Sequence, residues 1–440
     1  MNRRKLIFDI ILAVVVMIIV IAIIVRATTR PENVVSINDA DLRPVRGAEV
    51  APEENAFTYL SRATNAMCYP TNFYKIYACD TNEDKEWDSN SVRLVQIIAS
   101  NETAFAEIEK ALVCQKCQLP EMTNNEWRVL VQFRNLFHLL CLKADWLGRI
   151  GREADSLKLT VDTIKFGQVI ENNGQGEPVF MMGSYFKSFS SLLLEQRLNS
   201  RVIPSADMKR LTLELSSGNY GVNCESLKKS VCEAYAYQVN RLDEVSRGRL
   251  HWPDIMGLTN SIYLPFESYM LNVVETKSAL ADLTRETIHR IPMNYSQMHI
   301  KNDPDYELLS FKTLIHPNGI GKYLIRQKEV SLRRVLEQKC LDELNLEAIA
   351  LLAALKAFKQ DNARLPQSLD ELVPSYMESV PLDPFDGKPM RYSAAKKIIY
   401  SVGKDLKDSG GSEKTSENWR GGDVRYRRRY SEDIVYRIEF

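Results

Sequence analysis

Along most of the chain, apolar residues recur at spacings of three and four, the signature of helices with one buried face. The pattern predicts helices in PEENAFTYLSRATNAM, SVRLVQIIASNETAFAEIEKALV and NNEWRVLVQFRNLFHLLCLKADWLGRIG. It predicts them again in READSLKLTVDTIKFGQVI, EPVFMMGSYFKSFSSLLLEQRLN and CESLKKSVCEAYAYQVNRLDEV. NNGQGEP at 172–178 and SGNYG at 217–221 separate them, as helix stops require. HWPDIMGLTNSIYLPF, from His251, reads as a loop, and ESYMLNVVETKSALADLTRETIHRI restores the helical pattern. After a turn at Pro317–Gly321 a long helical run ends in LEAIALLAALKAFKQDN. In that ending Leu346, Ile349, Leu352, Ala353, Leu355 and Ala357 form an inner face, with Lys356, Lys359 and Asp361 outside. LCLKADWLGRIGREADSLKLTVDTIKFGQ has the helix–turn–helix layout of tetratricopeptide arrays. It lacks a second copy at that period, so the expectation is an irregular helical bundle.

Both ends depart from this rhythm. After the basic MNRRK (1–5), residues Leu6 to Val25 are apolar except for Asp9, and roughly twenty such residues span a hydrocarbon core. Asp9 lies one turn after Lys5, so the two can meet at headgroup level. Arg3, Arg4 and Lys5 outweigh Arg26 and Arg30, which favours a cytoplasmic N-terminus. The expected order is an anchor at 6–25, a polar stalk at 26–50, and an exported helical domain at 51–345. A cleaved signal peptide is the competing reading of the first segment.

From residue 346 to 440 the pattern predicts a helix, a short helix in SLDELV capped by Ser368 and Glu371, and a proline loop through Pro381, Pro384, Gly387 and Pro389. MRYS and KIIYSVG then read as an antiparallel hairpin around AAK, and DIVYRIEF as a third strand. The fold class is therefore mainly α, closed by a small α+β domain. LPQSLDELV, LDPFDGKPMRYS and IYSVGKDLKDSGG together resemble the C-terminal domain of the type II secretion major pseudopilins. The whole chain resembles large exported proteins of planctomycete-type bacteria that join a helical region to such a tail. The resemblance implies a calcium site in the Asp/Gly-rich loop, with Asp405, Asp408 and a later aspartate, Asp433 or Asp423, as candidate ligands. Leu406 stands where that family has glycine, and the chain lacks the family's Gly–Phe processing site. A solvated turn without metal is the simpler reading of the same loop.

Composition narrows the chemistry. Lys plus Arg and Asp plus Glu are both 57, a balance without an electrostatic footprint for nucleic acid. The Arg run in WRGGDVRYRRRY (Arg425, Arg427, Arg428, Arg429) reads as one exposed sheet face. The eight cysteines accord with export. Cys68 and Cys79 flank a short loop and are the disulfide candidates, whereas Cys224 and Cys232 are eight helical residues, about 12 Å, apart. Cys114 and Cys117 follow a helix instead of opening one, which suits structural sulfur better than redox chemistry. The five histidines are scattered, His138 reads as a core residue, and nucleotide-loop and hydrolase motifs are absent. The expectation is a non-enzymatic binding or scaffold protein on the outer face of the cytoplasmic membrane, with one N-terminal helix in the bilayer and a protein partner. An exported hydrolase-like enzyme with a cleft in the helical domain is the alternative.

Overall fold

The computed structural model describes residues 16–17, 37–44, 47–68, 87–119, 127–173, 176–218, 220–247, 250, 270–300, 316–415 and 428–440. The chain is mainly helical with one three-stranded antiparallel sheet. Among the described residues no helix is long and apolar enough to cross a membrane. Of the expected anchor only Val16 and Met17 are described; the rest lies outside the described residues, as does the loop beginning at His251.

The helices are α1 (Ala56–Ala66), α2 (Trp87–Ser100), α3 (Glu102–Val113), α4 (Trp127–Arg149) and α5 (Glu153–Glu171). They continue as α6 (Glu177–Ser200), α7 (Ser205–Ser217), α8 (Cys224–Ser246), α9 (Val273–Arg290) and α10 (Gly319–Asn362). The sheet has β1 (Arg391–Ser393), β2 (Ile398–Ser401) and β3 (Ile434–Arg437) in that order. These strands fall where period-two alternation places them.

The chain divides into two compact units, and the division does not follow the expected boundary at 345/346. One unit contains residues 1–45, 231–289 and 301–334; the other contains 46–230, 290–300 and 335–440. In the first, Leu42, Tyr235, Leu242, Leu280 and Ile320 form a core. Tyr235 donates to Asp39 (2.9 Å), and Arg285 donates through two nitrogens to the Asp41 carboxylate (both 2.9 Å). Beside that pair lies an open depression of about 580 Å³ lined by Ile37, Asn38, Ala40, Ser278 and Ala281.

The second unit has an aromatic core in which Phe137 stacks on Phe186 with centroids 4.3 Å apart. α5 lies between α4 and α6, so the hairpin read from the sequence is present. Its turn, after α4, places Gly151 at φ +82, a left-handed conformation that suits glycine. At the α5–α6 crossing a Cβ on Gly183 would sit 2.5 Å from the Gly167 carbonyl oxygen, so only glycine permits this approach. The segment between 91 and 113 is not one helix. Asn101 breaks it, with its buried side chain bridging back to both backbone groups of Cys68 (2.8 and 3.0 Å).

Two local expectations need correction. Lys356 points inward: it is 4% exposed, in a stretch where Ala348 to Ala357 are all buried. A helix sealed on every side has no outer face to read from periodicity. The capping box at Ser368 and Glu371 is half formed: Glu371 reaches back to the Gln367 N–H (2.5 Å), but Ser368 makes no cap. A complete box exists at Asn294 and Gln297, which open a 3-10 turn at Tyr295–Met298.

Candidate functional site

The tail is built around Asp383, the aspartate of the LDPF stretch, which is fully buried. Its Oδ1 accepts from the Ser401 hydroxyl (2.8 Å) and the Phe385 N–H (2.9 Å). Its Oδ2 accepts from the Val402 N–H (3.1 Å) and Arg391 Nη1 (2.8 Å). Four donors satisfy one carboxylate and tie the proline loop to the end of β2. Burial nonetheless pushes the Asp383 carboxyl up. Phe385, beside it, is buried against Tyr295, and the N–H groups of Tyr295 and Ser296 donate to the carbonyls of Pro384 (3.0 Å) and Phe385 (2.8 Å). The aspartate and aromatic of this motif thus act as a joint, with polar and apolar halves.

The calcium candidates are placed separately. Asp433, fully buried, accepts from the N–H groups of Ser409 (3.3 Å), Gly411 (2.8 Å) and Ser412 (2.9 Å). Asp408 accepts from the Gly410 N–H (3.0 Å) and the Tyr400 hydroxyl (3.2 Å). The Gly410 hydrogen bond holds its carboxyl low, with Arg391 Nε 3.6 Å away. Asp405 accepts only from the Lys407 N–H (3.0 Å), and Asp423 lies outside the described residues. Backbone donors, not carbonyl oxygens, converge on these acids, the opposite of a calcium shell. Among the described residues, no group of three or more His, Cys, Asp or Glu side chains is placed to hold a metal ion. The three carboxylates as they stand therefore do not fit the ion that the resemblance implies. Leu406 adopts φ +60, the left-handed region that a glycine would occupy more easily.

The arginine run does not form an exposed sheet face where it is described. Arg428 donates two bonds of 2.6 Å to the two oxygens of Glu195 on α6, and its guanidinium lies 4.6 Å from the Tyr436 ring centroid. Arg429 donates to Glu337 (2.8 Å) and Gln338 (3.3 Å) on α10. Such forked pairing matches guanidinium geometry to a carboxylate. Asn199, at the end of α6, uses its amide like a strand backbone: Nδ2 donates to the Arg437 carbonyl (3.1 Å) and Oδ1 accepts from the Glu439 N–H (3.1 Å). Tyr436, buried, donates to Asn345 on α10 (2.7 Å). These contacts close the β3 edge and fasten the sheet to two helices.

Lys356 completes this seam. Its ammonium donates to the carbonyls of Leu198 and Arg201, the latter at 2.6 Å, satisfying acceptors that the end of α6 leaves open. Burial pushes it down to about 8.

Deeper in the same unit lies a cluster that periodicity did not reveal. Lys187 Nζ on α6 is 2.5 Å from Glu171 Oε2, the last residue of α5, and each side chain is 1% exposed. Asp342 on α10 accepts from Ser188 (2.9 Å) and Gln338 (3.1 Å) through Oδ1. Burial drives the Glu171 carboxyl up to about 7, beyond what the Lys187 charge restores, and raises Asp342 as well. Burial alone would lower the Lys187 ammonium, but Glu171 and Asp342 reverse that and raise it. The one signal in the sequence was a lysine inside YFKSFSSLLL, with no polar face beside it.

Cys117 is buried and its thiol is pushed up to about 12, while burial raises Cys114. Neither carries the heightened acidity of a redox pair. Cys224 and Cys232 occupy one unbroken helix and are not joined in a disulfide, and Cys141 is buried in the core. Cys68 is described, whereas Cys79 lies outside the described residues. His138 sits in the core against Phe137 and Phe189. No family model, no curated protein and no solved structure matches the chain.

Proposed function

We propose that this chain is a non-enzymatic binding or scaffold protein, anchored by its first apolar segment in the cytoplasmic membrane with the bulk of the chain on the outer side. The reading rests on one observation above the others. The pseudopilin-like tail is not a loose appendage: Arg428–Glu195, Arg429–Glu337 and the Asn199 amide bind it to α6 and α10 within one compact unit. Such fastening produces a rigid composite surface, which serves docking better than a tethered module does. The tail resemblance gives the partner class, a secretion or envelope assembly, on fold analogy alone. The hydrolase reading calls for perturbed acids in a cleft, yet Glu171 and Asp342 sit within the helix packing.

The test is crosslinking of the tagged full-length chain in intact cells, followed by mild extraction and mass spectrometry. A Leu382→Asp variant is run alongside, because Leu382 is exposed on the tail. A stoichiometric protein partner supports the reading, and its loss in the variant places the contact on the tail. If nothing is enriched over an unrelated anchored protein, the scaffold reading falls.

A further inference from the structure

The crossing of α5, α6 and α10 contains an uneven charge count. Three ionisable side chains are sealed there to about 1% exposure: Glu171, Lys187 and Asp342. One ammonium faces two carboxylates, so full ionisation leaves a net charge of 1 − 2 = −1. The neighbours do not cancel it. Lys339 pairs with Glu343 (3.0 Å) and Arg429 with Glu337 (2.8 Å), while Lys404, 3.9 Å from Glu337, has a side chain one-third exposed, so solvent screens its charge. The neutral groups turned toward the cluster are Ser184, Ser188, Gln338 and the Tyr220 carbonyl, 3.5 Å from Lys187 Nζ. Glu171 Oε1 and Asp342 Oδ2 are buried without a hydrogen-bond partner, so each carboxylate has only one of its two oxygens held by a donor.

An uncompensated charge in such a place costs several kilocalories per mole, and a carboxylate avoids that cost by keeping its proton. Water cannot be admitted cheaply, because Gly167 and Gly183 bring the two helix backbones into direct contact just beside the cluster. Like charges that share a site separate their protonation steps, as do any two carboxylates flanking one cation.

We infer that the α5–α6–α10 crossing holds a single proton shared between Glu171 and Asp342 around Lys187, and that loss of this proton as pH rises loosens the crossing. The burial-driven rise of both acids agrees with this. The sign follows from linkage. A carboxyl raised above its unfolded value binds more protons in the folded state, so its contribution is complete below about pH 4.5. It is lost as pH climbs through about 7, the folded value for Glu171. Folded protein that faces an acidic exterior would thus be tighter than the same protein at mildly alkaline pH.

The experiment measures thermal and denaturant unfolding of the full chain from pH 5 to 8, with Glu171→Gln and Asp342→Asn in parallel. Over that window the unfolding constant of the unaltered protein should worsen by up to about tenfold per pH unit relative to either variant. Parallel curves for all three proteins would overturn the inference. Should a variant fail to fold, infrared spectroscopy of the unaltered protein decides instead. A buried carboxylic-acid carbonyl band should be present at pH 6 and vanish by pH 8.5; no such band, or one that does not titrate, would overturn it equally.

Discussion

Lys356 shows what a single side chain can decide. A lysine four residues after Leu352 and three before Lys359 belongs, by sequence logic, on the wet face of an amphipathic helix. Instead its stem runs through the core and its ammonium caps the carbonyls of Leu198 and Arg201. What the sequence hides is that α10 is covered on all sides here; periodicity reports one face against water and fails when there is no water. Lys356→Met keeps the volume but strands two carbonyls, and should cost about 1–3 kcal/mol in denaturant unfolding. Lys359→Met, on a half-exposed neighbour, should move the midpoint by less than about 0.5 kcal/mol. Equal effects would mean that Lys356 faces solvent after all. The aspartates carry a similar lesson. Asp405, Asp408 and Asp433 stood out in the sequence as candidate calcium ligands, and each instead accepts backbone N–H groups of its own loop, three of them at Asp433.

At the scale of elements, the sequence was most informative where a pattern meets a boundary residue. The hairpin AAK, the alternation in KIIYSVG and in DIVYRIEF, and the α4–α5 turn all sit where local chemistry places them. Long-range contacts were not legible. Nothing in NYSQ announces that Asn294 opens a turn that pairs with Pro384 and Phe385, almost ninety positions later. Nor does the segment before ALVCQKC reveal that Asn101 splits it to hold Cys68. The α5–α6 crossing offers the sharpest element-scale prediction. Gly183→Ala improves helix propensity by about 1 kcal/mol, but drives a methyl against the Gly167 backbone, which cannot move aside. The net result should be a loss of about 1–3 kcal/mol, measured as a lower unfolding midpoint with an unchanged denaturant slope. A neutral or stabilising outcome would show that the helices can part at no cost, and would weaken the sealed-cluster argument with it.

For the whole molecule the decisive feature is where the tail belongs. Its motifs suggested a self-contained domain beginning at 346, because they lie together in sequence and resemble a known unit. The compact unit that contains them reaches back to residue 46 and draws α6 and the C-terminal part of α10, from Val335, into the same body. The acids that make this possible, Glu195 and Glu337, look in sequence like ordinary helix-surface charges; only their arginine partners, 92 positions or more away, give them meaning. Hydrogen exchange on the full-length protein tests this most directly. If the tail is fastened as described, the slowest amides of β2 and β3 should open with the same free energy as those of α6 and of α10 around Leu351. Strands that exchange freely while those helices stay protected would make the tail an independent module, and would contradict the composite platform on which the proposed role depends.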